Sequence, residues 1–339
     1  MQSYPEAEKI REFINAAHDI VIVQADNPDT DSLASALALE QILGEHGKNP
    51  ILYCGVDIPS YLQNLAGWDR VDKSLPRQFD ASIILDTSSE TLLQKMETAG
   101  QKMWLKKKPS LIIDHHATPS TIDFATIVLN QPAVATAEHL FELAKQLHWP
   151  LNSAAKNFLA IAILADSLGL MSEATTSRSI RAIADLVDGG VKLAELEQIR
   201  RETIRLDPEL VHYKGRLLQR VEFYNDNQIA TITIPWEEIE RYSPHYNPSM
   251  LVLDDMRLAK GTAVAIAFKL YPDGKVTAKI RTNYGFGIAD KLAEHFSGGG
   301  HSYASGFKIQ DGQDFESIKA ETIDAATRLL ASQASSQKQ

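Results

Sequence analysis

Three apolar runs in the N-terminal part of the chain each end in acid: "IVIVQADNPDTD" (residues 20–31), "ASIILD" (81–86) and "SLIIDHH" (110–116). Unbroken apolar runs bounded by polar turns read as strands buried on both faces, the mark of a parallel sheet. "HDIVIVQA", "DASIILD" and "SLIID" are therefore predicted strands, and "TIVL" a fourth. "SLASALALEQILGEHG", closed by Gly47, carries helical spacing, as do "TAEHLFELAKQLHW" and "SAAKNFLAIAILADS". Strands alternating with helices predict an α/β domain whose sheet is covered on both faces. Ligands in such sheets gather at the carboxyl ends of the strands, where these aspartates fall.

Around residue 190 the texture changes. "VKLAELEQIRRETIRLDPELVHYKGRLL" is polar and helical, and beyond it "NQIATITI", "TAVAIAFKLY" and "KVTAKIRT" read as strands, the last two joined by the turn signal "PDG". Helices follow at "IADKLAEHF" and "FESIKAETIDAATRLL". The expected layout is an N-terminal parallel-sheet domain over 1–190, a helical linker over 191–218, a smaller α+β domain over 219–333 and a disordered tail over 334–339.

The crowded acids imply cations. Asp29 and Asp31 lie two residues apart in a turn that opens a helix, Asp86 ends the second strand, Asp114, His115 and His116 end the third, and Asp166 follows in "AILADS". Carboxylate oxygens plus imidazole, with no soft ligand, suit Mn²⁺ or Mg²⁺. Two such ions about 3.5–4 Å apart clamp the attacking and leaving oxygens of a phosphoryl transfer and lower the pKa of water. Asp29 or Asp31 alone would read as a helix cap. All of them at one sheet edge is a more specific pattern.

In this order "NPDTDS", "ILD", "DHH" and "AD" resemble the four motifs of the DHH phosphoesterase superfamily, and "GGGHSYASGF" resembles the glycine-rich motif of its DHHA1 domain. The best fit is the branch of nano-RNases, oligoribonucleases and pAp phosphatases. The resemblance implies that Asp29 and Asp86 hold a first metal, and that Asp31, Asp86, His115 and Asp166 hold a second, with Asp86 bridging. It implies that Asp114 orients His115, that His116 contacts the scissile phosphate, and that Arg281, His301 and the backbone of Gly298, Gly299 and Gly300 bind the substrate's phosphate or terminal nucleotide. The family places a histidine ligand of the first metal four residues before Asp29, and here that position is Ala25. Asp26 is the neighbouring carboxylate. Thr175, Thr176 and Arg178 resemble a threonine-rich segment of the family, or read as a capped helix start.

The implied activity is metal-dependent hydrolysis, through activated water at the interdomain cleft, of short oligoribonucleotides or small nucleotides such as nano-RNA, pAp or linear dinucleotides. The alternatives are a manganese inorganic pyrophosphatase, whose branch has a first motif like "NPDTDS" but lacks the "GGGH" motif, and a nucleotide-binding protein weakened by Ala25. A net charge of −10 argues against long duplex nucleic acid, whose affinity rests on neutralised phosphates. Cys54 is the single cysteine, which fits a reducing cytoplasm. No apolar run approaches the ~20 residues that span a bilayer. A homodimer through the larger domain is implied by the resemblance.

Overall fold

The computed structural model describes residues 3–116, 119–203, 205–244, 246–310 and 312–336. The chain divides into two compact units, Met1–Arg205 and Leu206–Gln339. The division falls inside the segment expected as a single linker.

The first unit contains α1 (Ala7–Ala16), β1 (Asp19–Gln24), α2 (Thr30–Glu45), β2 (Asn49–Cys54), β3 (Ala81–Leu85), α3 (Gln94–Thr98), α4 (Lys102–Leu105), β4 (Ser110–Asp114), β5 (Ile127–Asn130), α5 (Thr136–Leu147), α6 (Ser153–Asp166), α7 (Ser177–Asp188) and α8 (Leu193–Thr203). Its sheet has the order β2-β1-β3-β4-β5, and every pairing is parallel. Side chains alternate across it as strand geometry requires. Ile20, Ile22, Ile83, Leu85, Leu111 and Ile113 pack on the side of α1, α2, α5 and α6. Val21, Val23, Ile84 and Ile112 pack on the opposite side against Leu93, Met96 and Leu105.

Sequence reading missed β2, "NPILYC". Pro50 lowers its strand signal, yet proline is tolerated on an edge strand, where one side of the backbone has no ladder to complete. β2 is such an edge. Helix α2 is buried almost all round, because it lies between β1 and the helices α5 and α6. Ala34, Ser35, Ala36 and Ala38 keep that approach close, with Ala160 and Ala162 of α6 in the same core. Gly47 follows α2 with φ +67°, the left-handed turn expected of it.

The second unit contains α9 (Pro208–Leu218), β6 (Glu222–Tyr224), β7 (Ile229–Ile234), α10 (Trp236–Tyr242), α11 (Pro248–Arg257), β8 (Val264–Leu270), β9 (Val276–Thr282), α12 (Ala289–Glu294), β10 (Gly299–His301), β11 (Ala304–Ile309) and α13 (Phe315–Ser336). Its sheet runs β10-β11-β9-β8-β7-β6 and is mixed, since only β7 and β8 pair in parallel. Ile266, Phe268, Ala278 and Ile280 form one core with residues of α12 and α13. Ala230, Ile232, Ala265 and Ala267 form another with α9, α10 and α11. Helix α13 extends through Ser336, into the segment expected as tail, whose last three residues lie outside those described. No helix among the described residues is long and apolar enough to cross a membrane.

One buried histidine shows how the first unit is tied together. His139 is fully buried, its Nδ1 accepts from the Tyr4 hydroxyl at 2.7 Å, and its Nε2–H donates to the Gln131 carbonyl at 2.8 Å. Both ring nitrogens are therefore satisfied in the neutral form, and burial pushes the imidazole down to about 4. The unfolded chain takes up a proton near the ordinary 6.5 that the fold refuses, so this contribution is complete above about 6.5 and is lost as pH falls towards 4. Its expected size is about 3 kcal/mol. His139→Phe should flatten the dependence of melting temperature on pH across that window. Parallel profiles for the two proteins would show that His139 is not the titrating group.

Candidate metal centre

The first unit's connections leave β1 towards β2 and leave β3 towards β4, in opposite directions, so the sheet's switch point lies between β1 and β3. A crevice opens at the carboxyl ends of the strands flanking such a point. The turn after β1 carries Asp29 and Asp31, and Asp86 follows β3 directly. Asp29 caps α2, accepting from the Ser32 amide at 3.0 Å. Asp31 is fully buried in the first turn of α2. A buried carboxylate requires donors, and this one has three: Ser35 Oγ at 2.8 Å, and the amides of Thr136 at 2.6 Å and Ala137 at 3.3 Å, which form the N-terminus of α5. Unpaired amides and the helix dipole both favour negative charge there. Asp86 accepts from Thr136 Oγ1 at 3.0 Å and holds φ +58°. Aspartate tolerates this left-handed conformation better than most residues, and such outliers concentrate at functional sites.

His115 sits over these acids. Its Nδ1–H donates to the Ala133 carbonyl at 3.2 Å, which leaves Nε2 turned to Asp86 at 3.4 Å, Asp166 at 3.5 Å and Asp31 at 3.9 Å. Asp166 is the last residue of α6. Burial alone would lower the His115 pKa, but Asp86 and Asp31 together raise it to about 10. Burial, with Asp31 and Asp29 adding repulsion, pushes Asp166 up to about 7. Burial also raises Asp31 and Asp86, and Asp31 adds to the rise at Asp86. One protonated imidazole is thus shared among three carboxylates, of which Asp31 and Asp86 are buried. Ligand atoms of Asp31, His115 and Asp166 all lie within 4.8 Å of one another, as do those of Asp86, His115 and His116. A divalent cation replaces that proton with two charges on the same oxygen and nitrogen donors, so the residues present fit Mn²⁺ or Mg²⁺.

Asp114 differs from its expected role. Its Oδ1 accepts from the His116 ring Nδ1–H at 2.7 Å and from the amides of His115 and His116 at 2.8 and 3.2 Å. It orients His116, while His115 takes its orientation from Ala133. The reason is local: Asp114 is the last residue of β4, and the chain folds back over its carboxylate. Burial works against ionisation of Asp114, but the His116 ring holds it below the usual carboxylate range. With Nδ1 tied down, the half-exposed His116 ring leaves Nε2 free.

Ala25 is buried and offers no ligand. Asp26 does not replace it: its Oδ2 accepts from the Lys95 amide of α3 at 2.7 Å, and its own amide donates to Leu92. Thr176 caps α7 in a reciprocal box with Ser179, and Arg178 pairs with Glu138, so this segment is a helix start. Sequence reasoning missed Thr136, Ser35 and the Ala133 carbonyl. Only Thr136 left a signal there, as the residue that opens a predicted helix.

The remaining candidates belong to the second unit. Arg281 on β9 pairs in register with Ala304 on β11, which pairs with His301 on β10, so Arg281 and His301 share one row of the sheet. "GGGHSYASGF" is a hairpin, where sequence reading had no strands. Gly300, at φ +141°, has no room for a Cβ, which would lie 2.6 Å from the Ala304 carbonyl oxygen, and a Cβ on Gly298 would strike Gly306. Those two glycines serve the close approach of the hairpin to itself. Gly299 faces open space.

A parallel α/β unit with carboxylates and imidazole collected at its switch point defines a class of metal-binding α/β proteins. Residues 19–165 match the DHH family, N-terminal domain. The chain is 22% identical over 309 residues to the bifunctional oligoribonuclease and PAP phosphatase NrnA of Bacillus subtilis (strain 168), covering 89% of this chain and 93% of that protein. It is 27% identical over 218 residues to the A-adding tRNA nucleotidyltransferase of Aquifex aeolicus (strain VF5), where it spans 64% of this chain and only 24% of that protein. Its fold matches the crystal structure of an exopolyphosphatase-related protein from Bacteroides fragilis, with TM-score 0.82, 19% identity and 96% and 97% of the two chains covered.

Proposed function

We propose that this protein, a phosphoesterase of the DHH family, hydrolyses short oligoribonucleotides or small nucleotides with Mn²⁺ as its cation. The observation that carries the reading is the convergence of Asp31, Asp86, His115 and Asp166 on one point at the sheet's switch point. Asp31, Asp86, His115 and Asp166 would hold one cation, and Asp29 and Asp86 would contribute to a second. Bound there, divalent ions supply Lewis-acid chemistry and lower the pKa of water. The chain's own part is to hold the donors. Thr136 fixes Asp86 and Asp31, Ala133 fixes the His115 tautomer, and Asp114 aims His116 Nε2 outward, where it can donate to a phosphate oxygen. The resemblance to an oligoribonuclease and PAP phosphatase over nearly the full length supports the substrate class. A pyrophosphatase would leave Arg281 and the Gly298–His301 hairpin without use.

The test is hydrolysis of a labelled dinucleotide, adenosine 3′,5′-bisphosphate and pyrophosphate, with Mn²⁺, with Mg²⁺ and with EDTA, alongside a metal count by native mass spectrometry. Turnover of pyrophosphate alone, or turnover in EDTA, would overturn the reading. A second prediction concerns the row of Arg281 and His301. His301→Ala is expected to lower kcat/KM for the dinucleotide about 10-fold or more, the loss of one charge-assisted phosphate contact, with a smaller effect on bis-p-nitrophenyl phosphate. Equal losses on both substrates would remove the assignment of His301 to nucleotide binding.

A further inference from the structure

A cavity of about 610 Å³ opens between α6 and α8 in the first unit. Sites for small molecules have this size, with mostly apolar walls and a few polar groups. Here Ile161 and Leu164, spaced to share one face of α6, meet Leu193, Leu196 and Ile199, which recur at every third residue of α8. Glu197 and Arg200 also border the cavity, but they pair with each other at 2.7 Å and so call for no charged ligand.

The cavity adjoins the metal centre. Thr30, between Asp29 and Asp31, lines it, and so does Ala165, which precedes Asp166. Tyr61 lines it as well. The Tyr61 hydroxyl donates to the Pro28 carbonyl at 3.3 Å, and burial together with the nearby Asp29 carboxylate raises its pKa. Tyr61 is half exposed, so an aromatic ring stands at the cavity's mouth beside the acidic turn.

A separate observation points to an occupant. Leu168, Gly169 and Leu170 are three successive left-handed residues, at φ +52°, +70° and +70°. The turn is held in that form: the Leu170 amide donates to Ser167 Oγ at 2.8 Å and the Gly169 amide to the Leu164 carbonyl at 2.8 Å. Bulky residues take this conformation only under strain, and such strain collects at active sites and ligand clamps. What it secures is the placement of Leu168, which lines the cavity yet is 73% exposed. An apolar side chain kept in water at the rim of an apolar cavity gains burial when the cavity is filled.

We infer that this cavity takes a nucleobase, that of a nucleoside whose ester phosphate lies at the metal centre, with Tyr61 and Leu168 closing on it from the rim. The inference rests on the proposed hydrolysis of nucleotide phosphoesters and adds where one base of the substrate sits. An apolar cavity next to carboxylates rejects a phosphate and suits the least charged part of such a substrate. Stacking on tyrosine between aliphatic walls reads area more than hydrogen bonds. A purine, with more surface to bury, is therefore held more tightly than a pyrimidine.

The experiment is ligand-observed NMR on the full chain in EDTA, with adenosine, cytidine and ribose as probes. None of them is a phosphoester, so binding is read without turnover and without repulsion of a phosphate by the unfilled acids. Adenosine is expected to bind with a Kd of about 1 mM or tighter, the scale open to a ligand of its size. Cytidine should bind more weakly and ribose not detectably. Tyr61→Ala and Leu168→Gly should each weaken adenosine at least about 10-fold, whereas Tyr61→Phe, which keeps the ring, should bind as the wild type does. Leu168→Gly should melt no lower than the wild type, because glycine takes the left-handed conformation without strain, so its loss of binding is not a loss of fold. Adenosine that fails to bind the wild type, adenosine that binds Tyr61→Ala and Leu168→Gly unchanged, or ribose that binds as tightly as adenosine would each overturn the inference. Hydrolysis of the labelled dinucleotide with Mn²⁺ is read separately. A wild type that hydrolyses it without binding adenosine through Tyr61 and Leu168 loses this inference alone, and one that binds adenosine there but hydrolyses no phosphoester keeps the base site and loses the proposed function.

Discussion

Asp86→Ala is expected to lower phosphoester hydrolysis by more than about 100-fold, beyond the ~10–100-fold that follows loss of even an outer partner of a metal ligand. In the proposed arrangement Asp86 is the one acid that serves both cation positions. It follows the central strand β3, stands 3.4 Å from His115 Nε2, and is held from behind by Thr136 Oγ1. Removing it takes a ligand from each position and also frees the Thr136 hydroxyl. Because Asp86 holds φ +58°, alanine adds backbone strain of its own. Asp86→Asn separates the two effects, since asparagine keeps the left-handed conformation and the bond from Thr136. The asparagine variant should match the wild type's melting temperature in EDTA yet lose the stabilisation that added Mn²⁺ gives the wild type. A variant that keeps more than a few per cent of activity would mean that Asp86 does not bridge.

The reasons Asp86 could be found in the sequence are the reasons much of the first unit could be. β1, β3 and β4 are buried on both faces, so their strands are continuous apolar runs, and the first polar residue after each marks the sheet edge. Helix α2 was visible because a capping aspartate precedes it and Gly47 follows it. The features that stayed hidden depend on approaches made only in three dimensions. The Thr136 amide meets Asp31 across 105 residues of sequence, and nothing in "TAEHLF" distinguishes that helix start from any other. β2 was hidden by Pro50, which an edge position excuses. The β10–β11 hairpin was hidden by its glycines, two of which are there for the hairpin's own backbone. Asp114 was legible as a site residue but not as the partner of His116, because local fold-back over its carboxylate decides which imidazole it meets.

Ala25→His is expected to shift the Mn²⁺ dependence of activity to lower free metal by about 10–100-fold. The motive is asymmetry between the two cation positions. In the proposed arrangement Asp31, Asp86, His115 and Asp166 hold one, whereas Asp29 and Asp86 alone remain for the other, and Asp29 Oδ1 already accepts from the Ser32 amide. The turn that carries Ala25 is held in place, with the Ala25 carbonyl accepting from Cys54 Sγ at 3.3 Å and the Asp26 amide donating to Leu92 at 2.8 Å. A histidine there enters a backbone that is already fixed and needs only side-chain room. Asp26→Ala is the control. The Asp26 carboxylate is bound to the Lys95 amide, so its loss should reduce stability by about 1 kcal/mol, as for a lost helix cap, and leave the Mn²⁺ titration where it was. The three proteins are compared by rate against free Mn²⁺ and by bound metal in native mass spectrometry. If Ala25→His leaves the titration unchanged while Asp26→Ala abolishes activity, Asp26 leaves Lys95 to bind the cation and the weakness assigned to the first position is not there. If Ala25→His binds a second Mn²⁺ that the wild type does not, and gains rate with it, the alanine at this position is what sets the metal requirement of the chain.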